Sequence, residues 1–424
     1  MIDSTRGRRG SALSRLDKWT VLLYILLVFL GWMNIYAAVY SEEHQSIFDT
    51  SQEYGKQMIW IITSGILILF ILLSDARIYQ SIAFPTYAVT MLLLVLVLII
   101  GKEVGGNKSW IQIGSFTLQP SEFAKFGTVL AMARYLSLLN VDLSKWKYRW
   151  WPLLIMGLPF LLILMQPDTG SALVYISFFL VFYREGLPGS YLFLALLAAV
   201  SAIFSLIYLP IYVIGVIAAL ALLTVFIVRK SRRMIWSTVF IGLFASAVSF
   251  GTDIMFNEVL QPHQQSRIQI LLGIKDDPMG VGYHTEQSLI AIGSGGLTGK
   301  GFLQGTQTKL NYVPAQSTDY IFCTVGEEWG FVGSSVTVLL FVILMARLVF
   351  LAERQKSKFS RVYGYGVVSI IFIHFAVNIA MTIGLAPVIG IPLPFFSYGG
   401  SSLWGFTVLL FIFLRLDANR WSEL

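Results

Sequence analysis

Along the chain, apolar runs long enough to cross a bilayer alternate with short polar joints. The runs fall at about residues 20–40, 57–74, 79–100, 120–139, 151–165, 170–184, 188–209, 211–228, 234–256, 319–350, 363–388 and 398–416. Many hold roughly 18 or more apolar residues, enough for a helix to span a hydrocarbon core of about 30 Å. Helices are predicted because backbone polar groups in lipid must be satisfied within their own segment. The pattern therefore predicts an all-α polytopic membrane protein with about twelve transmembrane helices. The fifth and sixth runs are short and separated only by Gln166 to Thr169, and Pro210 divides the seventh from the eighth. An even number of crossings is thus better fixed than the number itself. No internal repeat of the transporter kind stands out.

Composition and charge sharpen this picture. With 56% hydrophobic and 12% charged residues, against about 25% charged in soluble domains, a water-soluble fold is excluded. A net charge of +7 would point to nucleic acid in a soluble protein; here the cations cluster in the joints, so topology explains them and no nucleic-acid partner is expected. If the basic N-terminus is cytoplasmic, 22 of the 30 lysines and arginines fall on the cytoplasmic side. The strongest markers are Arg229, Lys230, Arg232 and Arg233, then Arg354, Lys356, Lys358 and Arg361. Both termini are then cytoplasmic. Arg6, Arg8, Arg9, Arg15 and Lys18 lead into an apolar run too long for a signal-peptide core, which reads as a retained first helix. The chain parses into a cytoplasmic segment 1–19, one transmembrane domain 20–418 with an outer loop at about 257–318, and a cytoplasmic tail 419–424. The single cysteine, Cys323, permits no internal disulfide.

Three outward segments carry unusual residues. Residues 101–121 hold Gly105, Gly106, Asn107, Lys108, Ser109, Trp110, Pro120 and Ser121. The loop at 257–318 is rich in glycine and amides yet carries Leu271, Leu289, Ile290 and Ile292, which predicts an ordered element on the membrane surface. In 384–402, Pro387, Pro392 and Pro394 interrupt a hydrophobic stretch that closes with Ser397, Tyr398, Gly399, Gly400, Ser401 and Ser402, which predicts a broken, re-entrant element.

Charged groups at membrane depth cost about 2.5–3.5 kcal/mol each, so they ask for partners or a function. Glu122 and Lys125, three residues apart on one helix face, suit an ion pair as well as a substrate contact. Asp168, before Thr169-Gly170, suits a helix N-cap as well as a binding role. Asp319 closes the long loop at the start of the tenth run, again compatible with a cap. Glu327 and Glu328 lie about 12 Å deeper on the same helix, where an internal polar network is the expected arrangement. His374 and Asn378, four residues apart, are expected to hydrogen-bond across the bundle. Trp110 fits an aromatic belt or a site, and Arg267, Lys275, Lys300 and Lys309 are the cations of the long loop. No Walker motif, dinucleotide fingerprint, zinc-ligand cluster or serine elbow stands in its required context.

Together, Gly106-Asn107-Lys108-Ser109-Trp110-Ile111, Gln119-Pro120-Ser121-Glu122-Phe123-Ala124-Lys125, Gln166-Pro167-Asp168-Thr169-Gly170, Gly282-Tyr283-His284 with Gln287 to Gly296, Thr318-Asp319-Tyr320-Ile321-Phe322 and Pro394 to Ser402 resemble the signature of the SEDS family, the shape, elongation, division and sporulation proteins, and most of all its RodA branch. The resemblance implies a peptidoglycan glycosyltransferase that polymerises lipid II on the outer face of the bacterial cytoplasmic membrane, releasing undecaprenyl pyrophosphate, for elongation and rod shape. It also implies a class B penicillin-binding protein and other elongation-complex membrane proteins as partners. Carried over by position, Asp319 is the essential acid, with Trp110, Glu122, Lys125 and Asp168 in the same outward cavity. Members are described with ten helices, so an extra pair is expected between residues 188 and 256.

For such chemistry, one carboxylate acting as general base suffices, because inversion is a single displacement and pyrophosphate needs charge stabilisation more than protonation. Asp319 is the expected base, with partial desolvation strengthening it. Lys125, Arg267 or a divalent cation (Mg or Mn) would neutralise the leaving group, Lys309 is expected to contact the anionic substrate, and Ser397, Gly399, Gly400 and Ser401 would line the cavity. Two other readings are a lipid II flippase, which would need polar groups at the midplane and on the cytoplasmic side, and a non-catalytic scaffold for a penicillin-binding protein, which would tolerate Asp319→Asn.

Overall fold

Every one of the twelve apolar runs folds as a helix. The computed structural model describes residues 15–40, 46–104, 107–114, 116–139, 141–227, 231–260, 262–274, 282–310 and 312–420. Arg6, Arg8, Arg9, Gly105, Gly106, Arg229, Lys230 and Lys275 lie outside the described residues. In chain order the helices are α1 (Lys18–Val39), α2 (Glu53–Leu73), α3 (Ala76–Ser81), α4 (Ala83–Ile100), α5 (Pro120–Leu136), α6 (Trp150–Leu164), α7 (Thr169–Arg184), α8 (Ser190–Ile207), α9 (Pro210–Ile227), α10 (Arg232–Ile254), α11 (Pro262–Leu271), α12 (Tyr283–Ser294), α13 (Ile321–Glu353), α14 (Lys358–Thr382) and α15 (Gly400–Ala418). Among the described residues, nine are long and apolar enough to cross a membrane. The other three runs form α5, α6 and α7, which are shorter. Residues 102–118, which carry no helix signal, form a three-stranded antiparallel sheet of β1 (Lys102–Val104), β2 (Asn107–Ile113) and β3 (Phe116–Leu118), in the order β1-β2-β3.

The chain divides into two units, residues 1–185 with 284–424, and residues 186–283. In the first, α5 lies at the centre, against α4, α6, α14 and α15. It closes on its neighbours through small residues: a Cβ on Gly127 would stand 2.6 Å from Thr90 Oγ1, the close approach that drives packing where lipid and side chains are equally apolar. The second unit holds α8 to α11. There α10 packs on both α8 and α9, with Ser201, Ser205, Ala245 and Ser249 buried in the α8–α10 unit and Ser205 Oγ donating to Ser249 O at 2.8 Å.

Helix α13 is broken, and the break organises the last part of the long loop. Gly330 sits at φ 64°, ψ −158°, which is not helical. The backbone groups released there are taken up by the loop: Lys300 N and Gly301 N donate to the carbonyls of Glu327 and Glu328, each at 3.0 Å, while Phe331 N and Val332 N donate to Gly296 O at 2.9 Å and Leu297 O at 3.1 Å. Non-helical backbone is tolerated at membrane depth only when protein satisfies it in this way. Glu327 fastens the same loop from below. Its carboxylate accepts from Lys300 Nζ at 2.7 Å, from the amides of Thr306, Gln307 and Thr308 at 2.7–3.0 Å, and from the hydroxyls of Thr306 and Thr308. This is the polar network expected around Glu327.

At the opposite end of the bundle, Asp17 caps α1, accepting from Thr20 N at 3.0 Å, and pairs with Arg347 of α13 at 2.5 Å. Burial alone would raise the Asp17 pKa, but the hydrogen bonds from Arg347 and Thr20 outweigh it and hold the carboxyl at about 2, below its ordinary 3.8. A depressed folded-state pKa stabilises the fold above the unfolded value and ceases to do so as pH falls through the folded one. Asp17→Asn is therefore expected to lower the Tm in detergent at neutral pH, and the gap to wild type should close as pH falls from about 4 toward 2.

Candidate active site

Between α14 and α15 the chain cannot stay helical, because Pro387, Pro392 and Pro394 lack donors and Gly384, Gly390, Phe395 and Gly399 all take positive φ. The resulting re-entrant segment is held by specific bonds. Ser397 Oγ donates to Thr318 O at 2.6 Å and accepts from Leu393 N at 2.8 Å. Tyr398 N donates to Ser317 O at 2.9 Å. Gly399 N donates to Gln57 Oε1 at 3.2 Å. Gly400 lies against the Trp60 indole, where a Cβ would stand at 2.7 Å, so only glycine fits. These contacts clasp the segment onto residues 317–318, immediately before Asp319.

Asp319 is half-buried at the mouth of α13. Its main-chain carbonyl accepts from Asn378 Nδ2 at 2.8 Å, and the second hydrogen of that amide goes to Ile391 O at 2.7 Å. Its carboxylate faces the re-entrant turn: Oδ2 stands 3.5 Å from where a Cβ on Gly390 would be. The far side of that turn meets the start of α7, because a Cβ on Gly170 would stand 2.3 Å from Ile389 O. Just before it, Asp168 caps α7, accepting from Ser171 N at 3.0 Å and Ser171 Oγ at 2.8 Å, and also takes Gln119 Nε2 at 3.1 Å. Gln119 N in turn donates to Ser401 Oγ at 3.1 Å. The N-termini of α5, α13 and α15 are thereby bonded together at one end of the bundle, next to Asp319. Helix N-termini carry a partial positive charge, which favours anions nearby.

One turn into α5, Lys125 Nζ lies 2.7 Å from Glu122 Oε1 and 2.9 Å from His374 Nε2 on α14, with the Phe406 ring centroid 4.9 Å away. Glu122 and Lys125 are both almost fully buried. Their pairing, and the bonds of His374 and Asn378 across the bundle, follow the sequence expectation.

Trp110 sits in β2, half-buried and opposite Lys102, and β2 reaches the α7 turn through Lys108 N, which donates to Gln166 O at 3.3 Å. Lys309 is exposed, with its ammonium 5.5 Å from the Tyr40 ring at the end of α1. Arg267 belongs to α11, in the second unit. Among the described residues, no three His, Cys, Asp or Glu side chains come together as metal ligands would. Asp168 already uses both oxygens within the protein, so these residues do not build a metal cage of their own. Gln119, Gln57 and Trp60 were not singled out by sequence; Gln119 stands inside the Gln119-to-Lys125 motif, whereas Gln57 and Trp60 read as ordinary members of an apolar run.

A family model described as cell cycle protein, FTSW_RODA_SPOVE, matches residues 17–220 and 212–421. The chain is 31% identical to the peptidoglycan glycosyltransferase RodA of Treponema pallidum, covering 97% of this chain and 100% of that protein. It is 33% identical to the peptidoglycan glycosyltransferase MrdB of Escherichia coli K12, over 90% of this chain and 88% of MrdB. Among solved structures it resembles a chain of a peptidoglycan synthase complex that coordinates polymerization and crosslinking, with a TM-score of 0.70 and 27% identity over 96% of this chain and 99% of that one. It also resembles the rod shape determining protein RodA of Thermus thermophilus, with a TM-score of 0.62 and 25% identity over 96% and 98%. With nearly its whole length matched, the chain belongs to the FtsW, RodA and SpoVE family of cell cycle proteins.

Proposed function

We propose that this peptidoglycan glycosyltransferase, an integral membrane protein, polymerises lipid II at the end of the bundle where Asp319 meets the N-termini of α5, α13 and α15. The observation that carries the reading is the placement of a half-buried carboxylate beside three bonded helix N-termini. The acceptor sugar hydroxyl attacks the anomeric carbon of the donor; the bond from that carbon to the pyrophosphate oxygen breaks; Asp319 takes the hydroxyl proton. The departing polyprenyl pyrophosphate carries its charge toward the positive ends of these helices. The excess of Lys and Arg in alternate joints supports an orientation with this end outward and both termini in the cytoplasm. The likeness to a complex of polymerization and crosslinking supports a class B penicillin-binding protein as partner, with elongation as the role.

Asp319, Asp168, Ser397 and Ser401 gather at one end of the bundle, which favours chemistry at that end over a transport path through the bilayer. The test is to incubate the detergent-purified protein and its partner with purified lipid II and resolve the products by size. Glycan strands of many disaccharides are expected; unaltered lipid II, together with protein-dependent movement of lipid II across proteoliposomes, would overturn the reading in favour of transport.

A further inference from the structure

His374 is a polar side chain in the middle of an apolar helix, only 1% exposed. Burying an imidazole is costly unless its nitrogens are bonded, and both are. Lys125 has only donors to offer, so His374 Nε2, 2.9 Å from Lys125 Nζ, must accept. The ring proton is thereby assigned to Nδ1, which donates to Pro392 O at 3.2 Å. With both nitrogens engaged, the ring is held in one orientation. It is a spacer of fixed length between α5 and the re-entrant segment, held edge-on to Phe406 at 4.8 Å.

One helical turn further on the same face of α14, Asn378 does the corresponding thing with the preceding carbonyl, binding Ile391 O and the carbonyl of Asp319. Two rungs of one helix therefore hold two consecutive carbonyls of the re-entrant segment. One rung reaches Lys125 and the other reaches Asp319. From this geometry we propose that His374 is a positioning residue, which acts through Lys125 to keep the Glu122–Lys125 pair in register with the segment that seats Asp319. The proposal rests on the reading of Asp319 as the base. Its consequence is kinetic, since a shift of about 1 Å among reacting groups can cost about 10²-fold in rate.

The test compares His374→Gln, His374→Asn and His374→Leu in the full-length protein with its partner, measuring kcat and KM for lipid II polymerisation and the Tm. Gln offers an acceptor where Nε2 stands; Asn offers a donor where Nδ1 stands. His374→Leu is expected to lower kcat by about tenfold or more with KM within about twofold. Gln should recover most of that loss and Asn little, whatever the Tm values. In a Lys125→Met background, His374→Leu should add no further loss, because the residue acts through Lys125. Equal activity of Gln and Leu, additive losses in the double variant, or an unchanged kcat in His374→Leu would each overturn the proposal. The Gln and Asn pair decides the matter even if the Leu or Met variants do not fold. An active Asp319→Asn protein would instead remove the base reading, and the Lys125 cycle would still report on His374 by itself.

Discussion

Asp319→Asn is expected to reduce glycan polymerisation by about 10²- to 10⁴-fold, the range of a positioned general base, while leaving the protein folded and bound to its partner. The two halves of this expectation come from different atoms of one residue. The bond that Asn378 makes to position 319 goes to the main-chain carbonyl, and the clasp beside it joins Ser397 and Tyr398 to the carbonyls of Thr318 and Ser317. None of these bonds needs a carboxylate. Asn has nearly the same shape as Asp but cannot accept a proton at neutral pH, so the substitution removes basicity while keeping these main-chain bonds. The measurement is initial polymerisation rate with Tm and partner co-purification recorded for both proteins. Equal polymer from wild type and variant would support a scaffold, or a base elsewhere, and would redirect attention to Glu122 or Asp168.

Gly330→Ala is expected to be the most damaging small substitution in the fold. At φ 64° and ψ −158° the residue occupies a region that only glycine enters freely, at a strain of about 1–3 kcal/mol for any other residue. The new Cβ would also lie 2.3 Å from Gly299 N, 2.8 Å from Leu297 O and 2.9 Å from Gly296 O. These are backbone atoms with no rotamer to yield, and two of the four bonds replacing the broken helical ladder end on Gly296 O and Leu297 O themselves. Relief requires the 296–301 strip to leave α13, which would strand the carbonyls of Glu327 and Glu328 and strip Glu327 of its cradle. A loss of more than about 3 kcal/mol is expected, since clash adds to strain, with proteolysis appearing between residues 295 and 310. Gly293→Ala is the control: it lies in α12 with nothing within 4 Å of its Cβ position, and should be neutral or stabilising by up to about 1 kcal/mol. Similar Tm values for the two variants would contradict the account of the break.

The helices were legible because a bilayer imposes one rule on every crossing, and all twelve apolar runs obey it. The re-entrant segment was legible for a related reason, since Pro387, Pro392 and Pro394 within a hydrophobic stretch leave the backbone no helical solution. The Glu122–Lys125 pair could be read from spacing on one helix. The bond from Lys125 to His374 could not, because it joins positions 249 residues apart and only packing of α5 on α14 brings them together. Gly330 gave no warning for the opposite reason: a lone glycine in a long apolar run is common in membrane helices, and its conformation shows only once the loop strip lies against it. The sheet at 102–118 was hidden by its size, three short strands among glycines and polar residues.

The role of Asp319 as base, as distinct from a carboxylate that orients substrate, is tested most directly by the pH dependence of kcat/KM for lipid II in wild type and in the residual activity of Asp319→Asn. A required base must be unprotonated, so the wild-type rate should climb with pH along an acid limb. The account predicts that this limb disappears in Asp319→Asn, leaving a low and flat profile; a variant that keeps the same acid limb at reduced height would show that another group takes the proton.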